Sequence, residues 1–118
     1  MGYKFETICV KGDSEYEAKD STGGISVPIY QSACYGRDKL GQNTGFNYTR
    51  ADNPTREHLE KTVAALDGAK YGFAFANGMA AISSYFFTLP KDSHVIASED
   101  SYGGTIRLFD NLLIKSGI

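Results

Sequence analysis

The stretch Tyr71-Gly-Phe-Ala-Phe-Ala-Asn-Gly-Met-Ala-Ala-Ile82 decides how this chain is read. Tyr71–Phe75 predicts a short buried strand, Asn77-Gly78 a tight turn, and Met79 onward the first turn of a helix. That order leaves backbone N–H groups without intrahelical partners at a helix N-terminus, where they can hold a phosphate. Taken alone, the pattern also describes an ordinary strand-to-helix connection, which is the more common case. Two flanking features raise its interest: Tyr48-Thr49-Arg50 upstream and Tyr102-Gly103-Gly104-Thr105 downstream. Together the three segments read as half of a cofactor site.

Just upstream, Asn53 is a good N-cap and Pro54 suits the first helical position. Arg56-Glu-His-Leu-Glu-Lys-Thr-Val-Ala-Ala-Leu66 continues that helix. Leu59, Val63 and Leu66 share one face, Glu57 and Lys61 pair at i, i+4, and Gly68 takes the C′ position. Downstream, a helix is expected from about Met79 to Thr88, with Pro90 after its end. His94-Val-Ile-Ala97 reads as a second short buried strand. A turn at Tyr102-Gly103-Gly104 then leads into a helix from about Thr105 to Lys115, closed by Gly117. Alternating strands and helices of these lengths predict an α/β fold with a parallel sheet. Two strands are too few for such a sheet, so the chain is expected to be the front part of a larger protein.

Residues 1–52 show no sustained hydrophobic period. Gly23-Gly24, Gly36, Gly41 and Gly45 punctuate them, and Ile25-Ser-Val-Pro-Ile-Tyr30 looks extended. Ile25, Val27, Ile29, Tyr30, Phe46 and Tyr48 make the segment too apolar for a solvated tail. It reads as an N-terminal arm that orders against another surface, with the α/β domain beginning at residue 53.

The bulk properties exclude several classes. The chain has 118 residues, 42% hydrophobic and 22% charged, with a net charge of −2. Its mean hydropathy is −0.30 and its pI about 5.6. A nucleic-acid partner would ordinarily call for a basic chain. No apolar run approaches the roughly 20 residues of a membrane span, and Met1-Gly-Tyr-Lys-Phe-Glu lacks a secretory h-region. Cys9 and Cys34 form no C-x-x-C pair and read as reduced thiols of a cytoplasmic protein.

The candidate chemistry is spread over the three segments. Gly78 would let the backbone approach an anion, and the helix behind it adds partial positive charge. Neither G-x-G-x-x-G nor G-x-x-x-x-G-K-[ST] occurs. Tyr48 and Arg50, if extended, project to the same side, and a guanidinium beside a phenol can clamp a phosphate. A solvated Arg and a packed Tyr are the simpler alternative. Tyr102 follows a strand end, where ligands gather in parallel sheets and a ring could stack on a flat cofactor, although read alone an ordinary turn tyrosine is the simpler alternative. Ser83 and Ser84 sit mid-helix with no G-x-S-x-G, and His58 and His94 have no partners at metal spacing, so no metal site is expected. Ser98-Glu99-Asp100 reads as a polar loop.

Taken in order, these segments resemble the Cys/Met-metabolism, or transsulfuration, family of pyridoxal-5′-phosphate (PLP) enzymes. That group includes cystathionine γ-synthase, the cystathionine lyases, methionine γ-lyase and O-acetylhomoserine sulfhydrylase. Its pattern is met by Phe5-Glu-Thr7, Val27-Pro-Ile-Tyr-Gln-Ser32, Tyr48-Thr-Arg50, Asn53-Pro-Thr55, Leu59-Glu60, Leu66-Asp-Gly-Ala69, Gly78-Met-Ala-Ala81 and Tyr102-Gly-Gly-Thr105. Eight matches in sequence order are far more specific than any one of them.

The resemblance implies an N-terminal arm followed by the first strands and helices of the large PLP-binding domain of a fold-type I, aminotransferase-like enzyme. It implies that Tyr48 and Arg50 bind the cofactor phosphate of the neighbouring subunit. Gly78 and Met79 would hold the phosphate of the subunit's own cofactor through backbone N–H groups. Tyr102 would stack on the pyridine ring and act in proton transfer with substrate. The implied activity is β/γ-elimination or replacement at C–S bonds of a sulfur amino acid, in a homo-oligomer that is a dimer of dimers.

Asn77 and Thr49 stand where the family usually has Ser, and Gly104 where typical methionine γ-lyases have Cys. That last departure tilts the reading toward cystathionine enzymes or a sulfhydrylase. The Schiff-base lysine and the acidic partner of the pyridinium lie beyond position 118 in the family. None of Lys4, Lys11, Lys19, Lys39, Lys61, Lys70, Lys91 and Lys115 falls in a matching motif. The alternative is a non-catalytic phosphate-binding or oligomerisation module on the same scaffold.

Overall fold

A computed structural model describes residues 3–12, 24–42 and 45–118. Gly23 of the Gly23-Gly24 pair and Lys19 lie outside them. The chain forms two compact units, Met1–Ala74 and Phe75–Ile118.

The first unit is organised by its second helix. Helix α1 spans Phe5–Lys11 and helix α2 spans Pro54–Leu66. The start of α2 is encoded as expected: the Asn53 side chain accepts from the N–H groups of Thr55 and Arg56, and Pro54 occupies the first turn. Asp67 caps the other end, and Gly68 follows with φ 63°. Ala64 is buried on this helix, while Leu59 and Val63 stay about half exposed.

Helix α1 corrects the expectation of an irregular lead. It has no side-chain cap at its N-terminus and no buried residue, so it has no amphipathic signature of its own. It packs on α2. Gly12, at φ +81°, ends it so tightly that a Cβ there would lie 2.1 Å from His58 Cε1. A side chain there would have to displace His58 and would strain the backbone.

Among the described residues between the helices, Pro28 and Tyr30 are fastened to the N-terminus of α2. Tyr30 N–H donates to Thr55 Oγ1 at 2.8 Å, and that hydroxyl donates to the Pro28 carbonyl at 3.3 Å. Cys34 and Tyr48 form an antiparallel bridge. Thr49 N–H bonds to the Ala33 carbonyl at 2.9 Å, and Tyr35 N–H to the Asn47 carbonyl at 3.1 Å. The Tyr35 and Phe46 rings meet beside it, 5.6 Å apart.

The second unit holds helix α3, Gly78–Phe86, and helix α4, Gly103–Leu108. The expected Thr105–Lys115 helix begins two residues earlier and changes winding. It becomes a π turn over Phe109–Leu113 and a 3-10 turn over Ile114–Ser116. The reason lies in its apolar residues. Leu108 and Leu113 are both buried, at 5% and 2% exposure. In an α-helix residues five apart point about 140° away from each other, whereas the wider π turn brings them onto one side. The Phe86 and Phe109 rings pack edge to face at 5.0 Å, joining α3 to this segment. Gly117, at φ +81°, closes it in the left-handed conformation.

The expected strands at Tyr71–Phe75 and His94–Ala97 carry no ladder among the described residues. A strand exists only through a hydrogen-bonded neighbour, and the described residues offer these two segments none. Nor is the first of them buried as expected: Tyr71, Phe73 and Phe75 are exposed.

Candidate functional site

The first group of candidate residues is built on the N-terminus of α3. Asn77 is in extended conformation, and its side chain accepts from the Ala80 N–H at 2.9 Å. The Asn77 carbonyl accepts from Ala81 N–H at 3.2 Å. This satisfies the third and fourth helical N–H groups and leaves those of Gly78 and Met79 directed out of the helix end. The first turn carries no acidic residue. At Gly78 a Cβ would meet nothing within 4 Å, so the approach is open.

Tyr102 joins this group through Gly104. A Cβ at Gly104 would lie 2.5 Å from Tyr102 Cε1 and 3.0 Å from Met79 Sδ. The tyrosine ring and the Met79 thioether therefore both crowd the glycine, and a side chain at position 104 would displace the ring and press on the thioether. Thr105 Oγ1 also reaches Met79 Sδ, at 4.0 Å. Tyr102 as a residue is 69% exposed, which leaves it accessible to a ligand. Gly78, Met79 and Tyr102 are thus assembled by the start of α3 and the start of α4.

The second group lies in the other unit. Arg50 Cζ sits 5.1 Å from the Tyr48 ring centroid, a cation–π contact. The two side chains do meet, but not because the backbone is extended. The N–H groups of Ala51 and Asp52 both bond to the Tyr48 carbonyl, at 3.0 and 2.9 Å, so the chain turns through Thr49–Asp52. Both side chains are exposed.

Two residues that the motif reading treated as scaffold hold this turn. Asn53 Nδ2 donates to Thr49 Oγ1 at 2.6 Å, to the Tyr30 carbonyl at 3.1 Å and to Tyr35 Oη at 3.2 Å. Arg56 Nη1 donates to the Thr49 carbonyl at 3.1 Å, and its Nη2 to the Ala51 carbonyl. A signal for Arg56 was present in the sequence. A cation in the first turn of a helix opposes the macrodipole, so an arginine there calls for a reason outside the helix.

The remaining candidates fall elsewhere. Ser83 Oγ bonds back to the Met79 carbonyl at 2.6 Å within its own helix. Cys9 and Cys34 are exposed free thiols. Among the described residues no three His, Cys, Asp or Glu side chains gather as a metal site, and no helix is long and apolar enough to cross a membrane.

The α3 N-terminus suits a phosphate-bearing aromatic cofactor. Two N–H donors and the helix dipole meet the anion, no carboxylate opposes it, and an exposed ring adjoins the same turn. The Tyr48–Arg50 pair supplies a cation and a phenol suited to phosphate.

Comparison with known proteins gives the family. The chain is 45% identical over 98 residues to a cystathionine β-lyase of Lactococcus lactis, an alignment covering 83% of this chain and 26% of that protein. It is 41% identical over 115 residues to a cystathionine γ-lyase of Bacillus subtilis, covering 98% and 30%. With a cystathionine γ-synthase of Haemophilus influenzae the identity is 42% over 108 residues, covering 92% and 29%. The crystal structure of cystathionine γ-lyase from Lactobacillus plantarum, complexed with L-serine, superposes with a TM-score of 0.82 at 41% identity. That match covers 98% of this chain and 29% of the solved one. The chain therefore spans about a quarter to a third of the length of these relatives. Residues 6–118 match the family described as Cys/Met metabolism PLP-dependent enzymes, and the chain belongs to that family.

Proposed function

We propose that this chain is the N-terminal part of a PLP-dependent enzyme that makes or breaks C–S bonds at Cβ or Cγ of a sulfur amino acid, as a cystathionine synthase or lyase does. The observation that carries the reading is the open N-terminus of α3, with its two outward N–H groups beside the exposed Tyr102 ring. The names of the relatives support the substrate class: each is a cystathionine lyase or synthase.

In this reading Gly78 and Met79 hold the cofactor phosphate through their N–H groups, with the dipole of α3 favouring the anion. Tyr102 would hold the pyridine ring by stacking and would move a proton to or from substrate through its hydroxyl. Tyr48 and Arg50 complete the phosphate site of a neighbouring subunit, which makes residues 1–52 an intersubunit arm and 53–118 the start of the cofactor domain. The assembly is a homo-oligomer, a dimer of dimers, working in the cytoplasm. Bound PLP supplies an electron sink for negative charge developing on the substrate. The lysine that carries it and the acidic partner of its ring nitrogen lie outside this chain.

The test uses the protein as its gene encodes it, purified with PLP. Visible absorbance from bound cofactor is expected, together with a change in free thiol. Thiol rises with cystathionine as substrate for a lyase, and cysteine thiol falls with an O-acylhomoserine for a synthase. Bound cofactor without any thiol change would favour the non-catalytic module. Absence of both would overturn the reading.

A further inference from the structure

We propose that Arg56 is a positioning residue for the Tyr48–Arg50 phosphate clamp, with Glu60 holding it from behind. The inference rests on the proposed role of Tyr48 and Arg50, and deepens it.

The geometry around Arg56 is specific. Its two Nη groups donate to the carbonyls of Thr49 and Ala51, the residues on either side of Arg50. One rigid plane thus grips the peptide group that precedes Arg50 and the one that follows Ala51, bracketing the residue within the turn. Its Nε faces Glu60 Oε1 at 3.7 Å, one helical turn on. Glu60 Oε1 is itself fixed by the Ala74 N–H at 2.9 Å. The relay therefore runs from Ala74 through Glu60 and Arg56 to the turn, all inside the first unit. Asn53 secures the same turn from the other side through Thr49 Oγ1.

This division leaves two arginines with opposite tasks. Arg56 is about one-third exposed, and its donors are turned into the protein. Arg50 is exposed and rests on the Tyr48 ring, so its donor fork remains available to a phosphate. A lysine cannot replace Arg56, because a single ammonium cannot present parallel donors to two carbonyls and a third to a carboxylate. Helix formation does not account for Arg56 either, since its charge lies at the unfavourable end of the dipole.

The experiment compares pyridoxal 5′-phosphate with pyridoxal, which lacks the phosphate, by visible-absorbance titration of the protein as its gene encodes it. The readout is the ratio of the two affinities, with melting temperature measured in parallel. Arg56→Lys and Arg56→Gln are expected to lower the ratio about tenfold, the worth of one weakened charge-assisted contact, while pyridoxal affinity stays put. Glu60→Gln should move the ratio in the same direction and by less, and it decides the matter if the Arg56 variants do not fold. An equal loss for both ligands, tracking a lower melting temperature, would make Arg56 merely structural and overturn the inference. So would a wild-type preference for the phosphate form that survives in all three variants. A wild-type protein with no such preference would instead overturn the clamp role of Tyr48 and Arg50, and this inference with it.

Discussion

Arg50 lays its guanidinium over the ring of Tyr48, with Cζ 5.1 Å from the centroid, across a turn that doubles the backbone back. The pair is therefore assembled before any ligand arrives, and its two members can be separated by mutation. Arg50→Gln removes a charge-assisted contact worth about 1.5–3 kcal/mol, so cofactor affinity should fall roughly 10- to 150-fold. Tyr48→Phe keeps the ring under Arg50 and loses only the hydroxyl, so its loss should stay under about tenfold. Both side chains are exposed, and unfolding free energy should move by less than about 0.5 kcal/mol. Cofactor titration and denaturant melts check the two halves.

The two capping asparagines should differ in worth. Asn77 caps only the Ala80 N–H, and Asn77→Ala should cost about 1 kcal/mol. Asn53 caps α2 and also donates to Thr49, Tyr30 and Tyr35. Asn53→Ala should cost roughly 2–3 kcal/mol, the cap plus lost internal bonds. Asn53→Asp, which keeps the cap and loses the donors, should fall between wild type and Asn53→Ala. Denaturant midpoints at constant m-value give the ranking, and equal costs for Asn53→Ala and Asn77→Ala would contradict it.

Glycines 72 and 78 make opposite predictions. A Cβ at Gly72 would lie 2.2 Å from the Glu60 carbonyl oxygen, a backbone atom that cannot yield. Gly72→Ala should destabilise by about 1–3 kcal/mol or more. At Gly78 a Cβ meets nothing, and the residue is helical. Gly78→Ala should therefore stabilise by about 0.4–1 kcal/mol while weakening cofactor binding, because the methyl fills the space a phosphate needs. A Gly78→Ala variant that gains stability and keeps full affinity would argue against the anion role.

Gly104→Ala probes Tyr102. The clash at 2.5 Å is with the far end of a flexible side chain, so the ring should swing away rather than the fold open. Stability should change little, the near-UV dichroism of the aromatic residues should shift, and kcat should fall more than cofactor affinity. Unchanged dichroism and unchanged kcat would show that the ring position is irrelevant to turnover.

Legibility in the sequence followed how local each signal is. Helix α2 is written in adjacent residues: Asn53 as cap, Pro54 at the first position, Gly68 after the end. The turn at Asn77-Gly78 was equally plain, whereas the cap that the Asn77 side chain gives the Ala80 N–H was not read from the sequence. Helix α1 was not legible, since seven residues without a cap or a buried face carry no period. It takes its shape from packing on α2.

The Cys34–Tyr48 bridge and the partners of Arg56 are residues brought together by folding; the position of Arg56 in a first helical turn signals a contact outside the helix but does not say with which residues. The winding change after Leu108 escaped because helical periodicity was assumed constant through Leu113. The two segments read as buried strands, Tyr71–Phe75 and His94–Ala97, form no ladder among the described residues, because a strand needs a hydrogen-bonded neighbour that these residues do not supply.

The attachment of the Tyr48–Arg50 turn to the first turn of α2 has a consequence for the order in which the protein fails. Helix ends open at lower free energy than whole domains. Opening the start of α2 would release Asn53 and Arg56 together, and the loop they hold would lose its shape at once. Warming or mild denaturant should therefore expel cofactor while most helical signal remains, and cofactor concentration should set the temperature at which activity disappears.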